Sequence, residues 1–104
     1  MKKYKIFVAC DTSNINFVRK IIQNTKNRKL EIIPKFGLQF FYSENGRKFL
    51  EKFKDKFFLD LKLNDISATA KAAINAIKDL KKCRYITIHA NGGLEMMKAV
   101  KKEA

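Results

Sequence analysis

The sequence predicts an α/β fold of four βα units around a parallel sheet, and three observations lead to this prediction. Short apolar runs typical of buried strands alternate with longer stretches that have helical periodicity. The alternation repeats four times in 104 residues, which gives about 26 residues per unit. Polar or ionisable residues also recur at the end of each predicted strand, the edge at which parallel sheets place their ligand sites.

Strands are predicted at residues 4–10, 30–36, 57–63 and 84–89, and helices at 14–26, 39–54, 67–80 and 92–104. The first helix should bury a stripe formed by Phe17, Ile21 and Ile22. The third helix should begin with Asp65 or Ser67 as its cap. The second helix should bury an apolar side formed by Phe40, Phe41, Phe49, Leu50 and Phe53.

The length predicts one domain over residues 1–104. Two architectures accommodate four βα units in this length. One is a small, complete, four-stranded open sheet. The other is half of a (β/α)8 barrel, because a whole barrel needs at least about 200 residues.

Composition indicates a folded cytoplasmic protein without a membrane segment. Hydrophobic residues make up 46% of the chain, which is enough for a core. The apolar run IFVAC at 6–10 is shorter than the core of a signal peptide, roughly 7–15 residues, so it is interpreted as the first strand. Cys10 and Cys83 lie far apart with no CxxC motif, which favours free thiols over a disulfide or a zinc site.

The formal net charge of +13 raises the question of a nucleic-acid partner. The basic residues are mostly lysines scattered through every segment, whereas base readers and bidentate phosphate readers rely on arginine. We therefore interpret the charge as a solvated lysine-rich surface and regard nucleic acid as an unlikely partner. Such a surface would still attract phosphorylated small molecules.

The C-terminal ends of the predicted strands carry Asp11, Lys35, Asp60 with Lys62, and His89. Alternation of side chains along a strand would put Asp60 and Lys62 on the same face. Taken singly, Asp11 could be a turn residue, Lys35 could extend to water, and His89 could be a hydrogen-bonded structural residue. Asp60 and Lys62 are different because charges inside an apolar strand are costly to desolvate, and this favours a convergent site.

Four segments carry a resemblance to a known family. DLKLNDISAT at 60–69 resembles the D-x-K-x-x-D-I-x-x-T signature of orotidine 5′-monophosphate (OMP) decarboxylase. ACD, PKFG and IHANGGLEMMKA follow the first, second and fourth predicted strands in the order of that family. The D-x-K-x-x-D core is shared with sugar-phosphate lyases, whereas the continuation I-x-x-T and the HANGG segment favour the decarboxylase. The resemblance covers essentially the whole chain but only about the first half of the family's barrel, so it favours the half barrel.

The resemblance implies a role for each catalytic candidate. Lys35 would contact the ribose hydroxyls and the charge network, and Asp60 would lie beside the substrate carboxylate. Lys62 would be the acid that protonates C6 of the pyrimidine. Asp65 would reach into the partner subunit's site of a dimer.

The resemblance also implies three substrate-binding residues and no metal or organic cofactor. Asp11 would hydrogen-bond the ribose, and Thr69 would accompany Asp65 into the partner's site. His89, which ends the fourth predicted strand and begins the HANGG segment, would be the third substrate-binding residue. Ser67 and Ala68 stand where the family usually has Pro-Asn, so we expect this loop to differ in conformation from that of the family.

Three functional hypotheses follow. The first is an OMP decarboxylase N-terminal half, converting OMP to UMP and CO2, that is poorly active unless a second half or a rearranged oligomer completes it. The family's groups that close over the base and grip the 5′-phosphate would come from later strands. The second is a non-catalytic remnant, a homo-oligomer with weak nucleotide binding. The third is a lysine-rich nucleic-acid binder.

Overall fold

The computed structural model describes residues 3–104 and contains one sheet with helices after its strands. The four strands are β1 (Tyr4–Ala9), β2 (Leu30–Gly37), β3 (Phe57–Leu63) and β4 (Cys83–Ile88). The helices are α1 (Ile15–Asn24), α2 (Leu38–Phe41), α3 (Gly46–Glu51), α4 (Ser67–Ala76) and α5 (Leu94–Glu103). A single 3₁₀ turn, Ala90–Gly92, joins β4 to α5. The predicted α/β fold of four βα units is confirmed.

The sheet is parallel, and its spatial order β1-β2-β3-β4 is the order of the chain. A doubly wound sheet reverses direction at a switch point, whereas a barrel adds each strand beside the previous one. The sequential order is therefore that of half a (β/α)8 barrel. None of the helices within residues 3–104 is both long and apolar enough to cross a membrane.

One face of the sheet packs against the helices in two apolar clusters. The larger cluster joins β2, β3 and Cys10, which directly follows β1, to α1, α2 and α3, with Phe36, Phe40 and Leu59 fully buried. The smaller cluster joins α4 and α5 to β3 and β4 through Ile74 and Met96. Burial of this face fixes the opposite face of each strand as the barrel side, because side chains alternate along a strand.

The first helix departs from the predicted stripe. Asn14 caps α1 by accepting the Phe17 backbone N–H at 3.1 Å, as expected for a side chain of this type. Val18 is fully buried, and Ile21 and Ile22 pack beside it. Phe17 is 54% exposed, so the prediction that it belongs to the buried stripe is wrong. It lies one position before Val18, about 100° around the helix from the buried side.

The second helix, predicted as continuous over 39–54, is divided into α2 and α3. Ser43 Oγ donates to the Phe40 carbonyl at 2.6 Å and thereby occupies an acceptor of the helix. Gly46 packs so closely on the same carbonyl that a Cβ at this position would lie 1.7 Å from the Phe40 oxygen. The apolar side chains predicted for this segment nevertheless pack in the larger core cluster.

The third predicted helix corresponds to α4. It begins at Ser67 as predicted, but its cap differs from the prediction. Ile66 is the cap residue, in extended conformation and with no side-chain hydrogen bond to the helix. Asp65 Oδ1 instead accepts the backbone N–H of Ile66 at 2.7 Å. Helix α4 ends at Ala76, earlier than the predicted residue 80, and turns lead from there to β4.

Candidate active site

The candidate residues Lys35, Asp60 and Lys62 meet at the C-terminal ends of β2 and β3. Lys62 Nζ lies 2.8 Å from Asp60 Oδ2, and Lys35 Nζ lies 3.9 Å from the same oxygen. The Asp60 side chain is only 16% exposed, whereas that of Lys35 is 32% and that of Lys62 is 55% exposed. A carboxylate enclosed by two ammonium groups therefore forms a compact charge centre on the barrel side of the sheet.

Hydrogen bonds and charge lower the pKa of Asp60 below its ordinary value of 3.8. The hydrogen bond from Lys62 contributes most, followed by a hydrogen bond from Thr87, while partial burial opposes them. Thr87 Oγ1 donates to Asp60 Oδ1 at 2.7 Å. Each carboxylate oxygen thus has its own donor, and Asp60 is ionised at neutral pH.

The backbone around Lys62 is irregular. Its φ of 51° lies in the left-handed region, and within residues 3–104 it is the one non-glycine residue with positive φ. The register between β3 and β4 shifts between Leu59 and Leu63. The two charged side chains of β3 therefore meet where the pairing of β3 with β4 is irregular, rather than in the regular alternation that the sequence suggested.

Asp11 lies just beyond β1, close to Gly37 at the end of β2. A Cβ built on Gly37 would lie 3.8 Å from Asp11 Oδ1 and 4.0 Å from the Asp60 carbonyl oxygen. Gly37 pairs with Asp60 in the β2–β3 register. The exposed carboxylate of Asp11 thus lies near the end of β2, where it can accept hydrogen bonds from a ligand.

Asp65 and Thr69 lie outside the charge centre, in the loop after β3 and in the first turn of α4. Both are exposed. The Asp65 backbone N–H points to Met96 Sδ at 3.4 Å, and within residues 3–104 no ion pair includes its carboxylate. Of the four catalytic candidates named from the sequence, Lys35, Asp60 and Lys62 thus lie together in this chain and Asp65 lies apart. The role of Asp65 and Thr69 in a partner's site stays a prediction.

His89 follows β4 and is exposed. Its backbone N–H donates to the Leu63 carbonyl at 2.9 Å, and its own carbonyl accepts the Gly92 N–H at 3.2 Å. These bonds fix the turn between β4 and α5, while the imidazole makes no hydrogen bond within the described part of the chain. Its predicted contact with substrate stays a prediction.

Sequence reasoning missed Thr87 as a site residue. It precedes His89 by two positions on the same face of the predicted strand 84–89, and this spacing was the available signal. Threonine is common in strands, however, so the residue type alone carried no functional information. Within residues 3–104, no group of three or more His, Cys, Asp or Glu side chains is arranged to hold a metal ion.

A family model and two similar proteins all carry the name orotidine 5′-phosphate decarboxylase. The model of the "Orotidine 5'-phosphate decarboxylase / HUMPS family" matches residues 4–104. The orotidine 5′-phosphate decarboxylase of Oenococcus oeni is 35% identical over 97 residues, an alignment that covers 90% of this chain and 41% of that protein. The Bacillus cytotoxicus protein of the same name is 34% identical over 96 residues, with 90% of this chain and 39% of that protein covered.

A solved structure agrees with the fold. The crystal structure of orotidine 5′-phosphate decarboxylase from Lactobacillus acidophilus superposes with a TM-score of 0.77 at 30% sequence identity. The superposition covers 97% of this chain and 45% of that one. The chain therefore spans less than half the length of the relatives that it matches.

Proposed function

The chain belongs to the orotidine 5′-phosphate decarboxylase / HUMPS family, and we propose that it supplies the charge centre of an OMP decarboxylase. In this proposal it converts OMP to UMP and CO2 once further βα units complete the barrel. The observation that carries the proposal is the Lys35–Asp60–Lys62 cluster, in which the two ammonium groups lie 3.9 and 2.8 Å from Asp60 Oδ2, at the edge of the sheet where barrels place active sites.

The proposed reaction uses this cluster without a cofactor. The bond between C6 and the carboxylate breaks, CO2 leaves as a neutral molecule, and the electron pair stays on C6. The Lys62 ammonium then donates a proton to C6, which gives UMP. A cation fixed near C6 stabilises the localised charge of the transition state more than the delocalised charge of the ground state.

Asp60 would orient Lys62 and lie beside the departing carboxylate. Its ion pair with Lys62 at 2.8 Å limits the positions that the ammonium can take. Its negative charge would also repel the substrate carboxylate, and the repulsion ends when neutral CO2 forms. Asp11, whose carboxylate lies near Gly37 at the end of β2, is proposed to accept hydrogen bonds from the ribose.

Activity of the chain alone is expected to be very low. The relatives extend well beyond the matched region, and remote contacts with substrate contribute binding energy that catalysis uses. The Asp60 cluster alone would contact only one side of the substrate, so the base and the phosphate would not be enclosed. We therefore expect measurable turnover only from a completed barrel.

Growth complementation tests the proposal. A bacterium without OMP decarboxylase requires uracil, and we would co-express this chain with the part of the Oenococcus oeni relative that lies beyond the matched region. Growth without uracil is expected for the wild-type pair and not for Lys62→Ala. Failure of every wild-type pair to support growth, with both polypeptides present and soluble, would contradict the proposal.

The exposed start of α4 supports a subunit contact in the completed protein. Ile66 is 70% exposed and Leu94 is 61% exposed, and both line the groove between the starts of α4 and α5. Asp65 and Thr69 are exposed beside them. We propose that this surface contacts a second subunit and carries Asp65 toward its site. Ile66→Asp is then expected to weaken the dimer, measured by sedimentation.

A second candidate function is a non-catalytic homo-oligomer. The observation in its favour is the apolar edge strand β1, where Tyr4 is 81% exposed and Ile6 and Phe7 are each 42% exposed. Unpaired strand edges promote pairing with another chain. This candidate predicts self-association that increases with salt, because salt screens the repulsion between copies of charge +13. Light scattering that finds a stable monomer at every ionic strength would exclude it.

A further inference from the structure

We propose that Thr87 is a positioning residue whose hydroxyl holds Asp60 and the backbone of Lys62 in their active arrangement. The sequence resemblance assigns no role to this position. The inference concerns the geometry of the chain itself, and only its catalytic consequence rests on the proposed function.

The first step is the direction of the hydrogen bonds at the hydroxyl. Thr87 Oγ1 accepts the backbone N–H of Lys62 at 2.9 Å. It lies 2.7 Å from Asp60 Oδ1, which as an ionised carboxylate can only accept. A hydroxyl has a single proton, so that proton must point to Asp60. The Lys62 N–H therefore donates to the Thr87 hydroxyl, and the hydroxyl donates to Asp60.

The second step is the backbone of Lys62. A φ of 51° is unfavourable for a residue with a Cβ, and it persists only where the surroundings hold it. The shift in register between Leu59 and Leu63 disturbs the normal ladder from β3 to β4. A bulge leaves a backbone group without its strand partner. The side chain of Thr87 provides the acceptor that the ladder does not.

The third step is the orientation of the carboxylate. Asp60 Oδ2 faces the ammonium of Lys62, and Oδ1 faces Thr87. Without the second bond the carboxylate could rotate about its terminal torsion, which is a soft one. Rotation would move the oxygen that fixes Lys62 Nζ. The hydroxyl of Thr87 thus acts on the proposed proton donor through Asp60 and through the backbone of Lys62.

The fourth step is the origin of the groups. Asp60 and Lys62 come from β3, and Thr87 comes from β4, so all three lie within residues 3–104. We infer that the Asp60–Lys62 pair is oriented before any further part of a barrel is added. Completion of the barrel would then add contacts with substrate, and the orientation of the pair would not depend on it.

Nuclear magnetic resonance of the full chain tests the inference without an activity assay. Titration of the Asp60 carboxyl carbon gives its pKa, and amide exchange reports the Lys62 N–H. Thr87→Val keeps the shape and removes both hydrogen bonds. We expect it to raise the Asp60 pKa and to speed exchange of the Lys62 amide at least tenfold. Thr87→Ser should restore both values.

Tyr85→Phe is the matched control, two residues earlier on the same face of β4. It removes the bond from Lys5 Nζ to the Tyr85 hydroxyl at 2.9 Å, and it should leave Asp60 and Lys62 unchanged. Equal pKa and exchange in wild type and Thr87→Val would overturn the inference. Failure of Thr87→Ser to restore them would overturn it as well.

If Thr87→Val does not fold, amide exchange of the wild-type chain still tests the inference. The Lys62 amide should then exchange as slowly as its hydrogen-bonded strand neighbours. Exchange at the rate of an exposed amide would overturn the inference.

The catalytic consequence has a separate readout. In the completed protein, Thr87→Val should lower kcat about tenfold with KM unchanged, because positioning acts on the transition state. A change in KM alone would show that Thr87 does not act in this way. Absence of UMP formation by the wild type would contradict the proposed function and leave the titration result intact.

Discussion

The rings of Phe7 and Tyr85 meet edge to face with their centroids 5.2 Å apart, although β1 and β4 form opposite edges of the sheet. Lys5 Nζ also donates to the Tyr85 hydroxyl at 2.9 Å. Such contacts between the first and fourth strands require a sheet that curls strongly toward the barrel side. The curvature expected of a barrel is therefore present within these four strands.

The aromatic cluster of Phe7, Phe58 and Tyr85 should stabilise this curvature. The ring of Phe58 packs edge to face against Phe7 with a centroid distance of 5.1 Å, and it lies tilted against Tyr85 at 5.7 Å. Phe58→Ala is expected to lower the free energy of unfolding by about 2–3 kcal/mol, measured by urea titration, because it removes packing between three strands. Phe17→Ala is the control, since Phe17 is 54% exposed on α1 and should cost less than about 0.5 kcal/mol. Equal losses would contradict a structural role for the cluster.

The stability of the chain should depend on the ionisation of Asp60. Its pKa is lowered in the folded state, so its contribution is present above the unfolded pKa and is lost as pH falls through the folded pKa. Wild-type protein should therefore lose stability below about pH 4, and Asp60→Asn should lose less over the same range. Urea unfolding at pH values from about 5 to 2 measures the difference.

Asp55→Asn is the matched control for this experiment. Asp55 is exposed and belongs to no ion pair within the described residues 3–104, so the variant should follow the wild-type curve. If Asp60→Asn and wild type lose stability in parallel, the proposed linkage is wrong.

Gly46 is required by the close turn between α2 and α3. A Cβ there would lie 1.7 Å from the Phe40 oxygen and 2.8 Å from its carbonyl carbon, both of them backbone atoms. Gly46→Ala should destabilise the chain by about 2 kcal/mol or more, as overpacking does. At Gly37 the nearest atoms would be 3.8 and 4.0 Å away, so Gly37→Ala should cost less than about 1 kcal/mol. Thermal unfolding compares the two variants, and a Gly46→Ala chain as stable as wild type would contradict the turn geometry.

Most of the fold could be predicted from local patterns. The third strand has the same bounds in the sequence analysis and in the structure, because its apolar run is bounded by polar residues. The division of α2 from α3 was missed because it depends on a local competition for the Phe40 carbonyl, which periodicity does not report. The exposure of Phe17 was missed because neighbouring apolar residues offered two possible stripes.

The geometry of the candidate site was only partly predictable. The strand ends indicated that Lys35, Asp60 and Lys62 would lie near one another, and the structure brings them together. The left-handed backbone of Lys62 depends on the register between β3 and β4, which is a long-range property. The contact with Thr87 depends on the same register, so no local signal could identify its two hydrogen bonds.

The requirement for Lys62 is the central claim, and release of labelled CO2 tests it most directly. OMP labelled in its carboxylate would be mixed with this chain and the C-terminal βα units of the Lactobacillus acidophilus relative. We expect release by the wild-type mixture and a loss of at least about 10²–10³-fold in Lys62→Ala, since a fixed charge at the transition state contributes on this scale. Lys56→Ala is the control, because Lys56 pairs with Glu31 at 3.3 Å just before β3, at the opposite end of the strand. No release above buffer from any wild-type mixture, or equal release from Lys62→Ala, would contradict the account.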